Sequence, residues 1–309
     1  MIDTEVELGS ERGLFERLKK LLGRIRDNEN LHFIFTTPRV IFGISLFTAV
    51  CLFALLGPAF AQYELTEFAG SGSSVSAAAP SWENPFGLTI LGHDVYTRTV
   101  YGLRSTILVG FVGSILASSI GIVIGLVAGY IGGMVDEFLM GITNVFLTFP
   151  QLAILIVVAA YLPYRGVVHM AVLVGLIIWP WTARAVRSQT LSIKNEEHVE
   201  LSRMSSNGVF RIMFEDIAAN MFSYIFMVFI QQFLGTIMAT VGLEFLGLGP
   251  TRGVSLGLVM QRALTNGALY LGYWWWGILP GLFIMLLLFS LYFINTGLDE
   301  LFNPELREM

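Results

Sequence analysis

Six stretches of this chain are free of Asp, Glu, Lys and Arg: Val40–Tyr63, Ser105–Val135, Phe138–Tyr164, Gly166–Ala183, Ile217–Leu243 and Ala263–Leu298. A helix crosses the roughly 30 Å of bilayer hydrocarbon in about 20 apolar residues, and each stretch is close to or above that length. Backbone amides left unpaired in hydrocarbon cost several kcal/mol, so lipid-facing backbone must be helical. The pattern predicts an all-α polytopic membrane protein with six transmembrane helices. A seventh interval, Leu65–Trp82, whose one charge is Glu67, is rich in Gly, Ser and Ala and reads as a loop. Composition agrees: 55% of residues are hydrophobic and 13% charged, against about 25% charged in soluble domains. A soluble globular enzyme is excluded.

Lys and Arg in the connecting segments set the orientation. Seven lie in the N-terminal tail (Arg12, Arg17, Lys19, Lys20, Arg24, Arg26, Arg39), five in Arg184–Asn220 and one at Arg307, against Arg98, Arg104, Arg165, Arg252 and Arg262 on the other side. Thirteen against five places both termini in the cytoplasm of a plasma-membrane protein. The expected organisation is a cytoplasmic tail 1–39, a first helix 40–63, an external loop 64–104, a core 105–298 containing the cytoplasmic loop 184–220, and a cytoplasmic tail 299–309. Ala59, Phe60 and Ala61 form a triplet of the kind signal peptidase cuts, but the apolar run starts too far from the N-terminus for a signal peptide.

Several chemistries lack their residues. One cysteine, Cys51, supports neither a disulfide framework nor a cysteine-ligated metal, and no His-Glu-x-x-His occurs. No metal site or cofactor is expected. The net charge of −5 offers no basic face to nucleic acid. The chain lacks any Gly-Lys pair, hence a Walker loop. Gly253-Val254-Ser255-Leu256-Gly257 matches a hydrolase elbow, yet all four histidines precede it, and the fold that uses this elbow places its histidine after. Ion-driven carriers place ionisable groups near the membrane midplane; the six intervals hold only His169, near an end of the fourth.

Two patterns carry content. Gly121, Gly125, Gly129 and Gly133 recur at intervals of four, the spacing that lets another helix backbone approach closely in lipid. In the cytoplasmic loop, "NEEHVELSRM" reads as a helix, Ser205 to Gly208 as a turn, and "VFRIMFEDI" as a second amphipathic helix. Arg184–Asn220 holds five bases and five acids. An anionic membrane surface favours a basic excess, so a groove on another protein is the better match for this element.

From about Asn84 to Arg307 the chain resembles the permease subunits of binding-protein-dependent ABC importers, in the dipeptide, oligopeptide and nickel group, and there the C-type subunit. The residues carrying this are "NPFGLTILGHDVYTRTVYGLRSTILVG", with His93 where Arg is usual, then "GLVAGYIGGMVDEFLM", "FLTFPQL", "EHVELSRMSSNGVFRIMFEDIAAN", "EFLGLGPTRGVSLG" and the ending "NTGLDELFNPELR". The last-but-one also accounts for the hydrolase match. The resemblance implies a type I (MetI-like) permease architecture, no enzymatic activity of its own, a B-type partner permease, two cytoplasmic ATPases and an external solute-binding protein. It implies that the cytoplasmic loop is the family's EAA loop, seated on an ATPase, with Glu197, Glu200, Ser206, Gly208 and Arg211 as coupling residues. Leu201 and Ser202 stand at its two alanines, Ser206 at its glycine, and Asp216 and Ala219 at a His and a Pro. The implied solutes are peptides, oligosaccharides or nickel. A stand-alone ion-driven carrier is the alternative, and a polytopic membrane enzyme the third.

Overall fold

The computed structural model describes residues 37–65, 67–69 and 77–302. The N-terminal tail before Thr37, the tail from residue 303 with Arg307, and residues 66 and 70–76 of the external loop lie outside the described residues. Among the described residues the only β pairing is one bridge, Leu88 to Asp94.

Helix α1 (Pro38–Leu56) starts on a proline and runs into a 3-10 turn, Gly57–Phe60. Its C-terminal carbonyls are capped from a distant helix: Arg104 Nε donates to Ala54 O at 2.5 Å and its NH2 to Leu55 O at 2.7 Å. Helix α2 (Val95–Ile131) begins at Val95 rather than at Ser105, because Asp94 caps it by accepting from Thr97 N at 2.7 Å. Its 37 residues reach about 55 Å, longer than the hydrocarbon, so its charged first turns, with Arg98 and Arg104, have room to stand beyond it.

The interval Phe138–Tyr164 is not one straight helix. Helix α3 (Gly133–Thr148) and α4 (Gln151–Tyr161) meet at an 82° bend. Phe149 precedes Pro150, which forces it into extended backbone (φ −88°, ψ 140°) and ends α3. Helix α5 (Val167–Ile193) is the central span. Next come α6 (Glu197–Met204) and α7 over residues 209–220, which opens as α-helix at Val209–Arg211, widens to π-helix over Ile212–Ile217 and returns at Ala218–Asn220. Helix α8 (Phe222–Phe245) follows, then α9 (Leu256–Thr265) and α10 (Trp274–Phe302). Five helices (α1, α2, α5, α8 and α10) are long and apolar enough to span, and the bent α3 and α4 pair makes a sixth. The chain is all-α with six spans, one of them broken.

Helix α2 packs along α5, and the glycine spacing is the reason. A Cβ on Gly121 would sit 2.5 Å from Thr182 Cβ, one on Gly125 2.7 Å from Ala183 O, and one on Gly129 2.7 Å from Thr190 Cβ. The row extends outward through Ala117, fully buried, to Gly113, 3.0 Å from Ala171 O. It ends at Gly129 on the other side: Gly132 (φ +74°) closes α2, and a Cβ on Gly133 would meet nothing within 4 Å. Helix α8 joins the pair through a buried amide, Gln232 Nε2 donating to Ile178 O at 3.0 Å.

Candidate functional site

At the end of the bundle formed by the last turns of α2 and α5, α6 and α7 fold back as two short helices. Each is amphipathic, and one face is spent on the bundle. Val199, Ile212 and Ile217 are buried in a cluster with Leu126, Val186, Ile193 and Met221. The opposite face keeps apolar side chains in the open: Leu201 and Val209 are exposed, Met204 is 79% and Phe210 72% exposed. Phe210 and Phe214 stack with ring centroids 4.5 Å apart. A two-sided apolar element of this kind is built to receive something on its free side.

Its polar groups are satisfied internally. Ser202 Oγ donates to Asp216 Oδ2 at 2.5 Å and accepts from Asn207 Nδ2 at 2.9 Å, which ties α6 to α7. Arg211 Nε donates to Glu215 Oε2 at 2.7 Å, Asn220 Nδ2 to His198 Nε2 at 3.0 Å, and Arg203 lies 5.2 Å over the Tyr130 ring. Below the element, Arg187 grips Asp136 with both Nε and NH2 at 2.5 Å, and Lys194 Nζ donates to Gly129 O at 3.0 Å. The last two bonds tie α5 to α3 and α2, while the element itself is held to α2 and α5 by the buried apolar cluster and by Arg203 over Tyr130, so a push on it reaches the helices that carry the glycine row.

The expected coupling residues fall into two groups. Glu197, Glu200, Ser206 and Gly208 are exposed, on or beside the free face. Arg211 is exposed too, but its guanidinium is engaged with Glu215. Within the turn the left-handed residue is Ser206 (φ +56°), whereas Gly208 has φ −68°, ψ 150°, an extended conformation open to any residue.

Another buried acid escaped the charge-free intervals. Helix α8 continues past Leu243, and Glu244 is 1% exposed, with Oε2 facing Gly257 and finding no hydrogen-bond partner. The spans therefore hold a buried carboxyl besides His169, whose ring meets Tyr164 edge-on at 5.1 Å. The interval ended one residue too early to include it. Its position against the start of α9, beside Ser255, was the missing signal.

A multi-pass helical bundle of candidate membrane spans, with a half-exposed amphipathic element at one end, fits the class of membrane transport subunits. Residues 121–308 match the family described as binding-protein-dependent transport system inner membrane component, and the chain belongs to that family, a transport permease of ABC importers. It is similar to the dipeptide transport system permease protein DppC of Bacillus subtilis, with 30% identity over 267 residues, 86% of this chain and 81% of that protein. The oligopeptide transport system permease protein OppC of Bacillus subtilis is 28% identical over 268 residues, covering 86% and 85%. DppC of Haemophilus influenzae is 26% identical over 275 residues, covering 86% and 90%. The chain is a DppC/OppC-like ABC permease, an inner membrane component with several spans.

Proposed function

We propose that this chain forms half of the translocation pathway of a peptide importer, paired with a B-type permease, and that α6 and α7 seat on cytoplasmic ATPases. An external solute-binding protein delivers the cargo. The names of the relatives support peptides over oligosaccharides or nickel. The coupling role rests on one observation above the others: α6 and α7 bury one apolar face and leave Leu201, Met204, Val209 and Phe210 uncovered. Balanced charge in Arg184–Asn220 favours a protein groove over an anionic lipid surface. ATP-driven closure of the ATPases would move this element, and its buried apolar contact with α2 and α5 would turn that into rocking of the spans between two states.

Orientation follows the base count, with the termini and α6–α7 inside. In a Cys51→Ala background, a cysteine at Ser74 is expected to react with an impermeant thiol reagent in intact cells and one at Asn195 is not; reversed labelling sinks the orientation. For coupling, Glu200→Ala and Phe210→Ala are tested by ATPase co-purification together with peptide uptake. Wild-type values of both in both variants would remove α6–α7 from the mechanism. The ion-driven carrier alternative is tested by the same purification: uptake by the chain alone, with no ATPase bound, would favour it.

A further inference from the structure

At the opposite end of the molecule from α6 and α7, the start of α2, the end of α9 and the start of α10 enclose a pocket of about 220 Å³ whose walls include Thr89, His93, Arg98, Arg262, Asn266 and Trp276. That volume equals roughly seven waters. Two guanidinium groups share it, and neither has a counter-charge. Among the described residues, the side chains of Arg98 and Arg262 take part in no ion pair, and Arg98 Nε is sealed from solvent with no acceptor. Asp94, the acid nearest along the chain, caps the helix start through Oδ2, which accepts from Thr97 N and Oγ1 at 2.7 Å, and it lines a separate recess with Tyr63 and Tyr96. Thr66 and residues 70–76 of the neighbouring loop bring no acid in sequence.

His93 adds no third charge at neutral pH. Its Nδ1 lies 3.2 Å from Glu67 O, which can only accept, so that nitrogen carries the proton and Nε2 is the bare one. Burial above all, with the positive charges of Arg98 and Arg262 adding to it, holds its pKa below the ordinary 6.5, against the smaller opposing pull of the Glu67 carbonyl. The pocket thus offers a half-buried guanidinium at Arg98, a second, exposed one at Arg262, an amide, a hydroxyl and a neutral imidazole, walled by the buried indole of Trp276. Like charges held together in a recess favour an anion that bridges them, and guanidinium geometry matches a planar carboxylate.

We propose that this pocket binds a carboxylate, the free C-terminus of the transported peptide; the source of the carboxylate rests on the peptide reading above, its chemistry does not. Bound there, it would join α2 to α9 and α10 at the external mouth.

The test uses the full permease assembled with its partner permease and ATPases, without binding protein, heated with alanyl-alanine, alanyl-alaninamide or inorganic phosphate at equal ionic strength. The free acid should raise the unfolding midpoint of the permease by about 2 °C or more, the amide and phosphate should not, and Arg98→Gln and Arg262→Gln should each erase the shift. Without ligand, Arg262→Gln should leave the midpoint unchanged or raise it, since a like-charge neighbour has gone. An equal shift from the amide or from phosphate overturns the carboxylate. A lowered ligand-free midpoint, or loss of the partner permease, in Arg262→Gln shows that an acid of the partner already fills the pocket and overturns it too. Peptide uptake by the wild-type importer is read in parallel. No uptake with the acid-over-amide shift intact rejects the peptide reading, whereas uptake with no shift rejects the pocket.

Discussion

The two ends of this molecule are finished in opposite ways. At the α6–α7 end, charges meet partners: Arg187 with Asp136, Arg211 with Glu215, Ser202 with Asp216. What is left open there includes a broad apolar face, Phe210 and Met204 above all, beside the exposed Glu197 and Glu200. At the other end apolar side chains stand open too, Tyr270 and Leu91 among them, but beneath them, beside the buried Trp275 and Trp276, Arg98 Nε, Glu244 Oε2 and Asp94 Oδ1 are buried without partners. A buried polar group without a partner costs about 1–3 kcal/mol, and an exposed apolar patch is tolerated more cheaply. The first end therefore suits a lasting protein contact that covers hydrocarbon. The second suits polar ligands that come and go.

The largest effect is expected between the ends, in the row that links them. Gly125→Leu forces side-chain carbons into Ala183 O and Val186 and should abolish accumulation of the assembled permease, while Gly141→Leu, on α3 with open space around it, should be tolerated. Membrane levels of each variant decide this; equal tolerance would mean that α2 and α5 do not depend on close approach.

Next in size is the open apolar face. Phe210→Ala should change the unfolding midpoint little, since the ring is 72% exposed, yet reduce ATPase association about tenfold or more, the scale of an interface anchor. A drop in stability with association unchanged would reverse the contrast drawn between the ends. Ser206→Gly should act the other way and stabilise the isolated permease by about 0.5–1 kcal/mol, measured by thermal unfolding, because Ser206 sits at φ +56° where Cβ is strained.

The smallest effect belongs to the end that holds His93. The fold holds the His93 pKa below its ordinary value, through burial first and then Arg98 and Arg262. The unfolded chain then binds this proton more readily. The neutral ring's contribution is present in full above about pH 6.5 and is lost as the pH falls through the lower folded-state value. His93→Gln should flatten the pH dependence of the unfolding midpoint in that acid window and leave it unchanged at pH 8. A slope that persists in the variant would assign it to other groups.

Much of the architecture was legible in the charge-free intervals, because the bilayer imposes one solution on any backbone that crosses it. The glycine spacing likewise pointed to close packing before any partner helix was known. The partner was not legible: that Thr182, Ala183 and Thr190 of α5 receive the row depends on which helices lie side by side. Nor was the end of the row, since Gly133 fits the spacing but falls beyond the break at Gly132. The break at Pro150 was present as a residue, but its 82° turn of the chain is a tertiary result.

For the coupling element, two amphipathic segments and a turn could be read from periodicity, and their exposed face could not, because each has apolar residues on both sides and only packing against α2 and α5 decides which are spent. Arg98 and Arg262 show the same limit. In sequence they are two bases 164 positions apart (262 less 98), counted as loop charges; the fold brings them to one pocket. Sequence alone determined that this chain lives in a membrane as helices, since solvent sets that requirement residue by residue. Which charges meet, which remain alone and which apolar face stays uncovered were decided by tertiary structure, because each depends on distances between residues that the chain order leaves far apart.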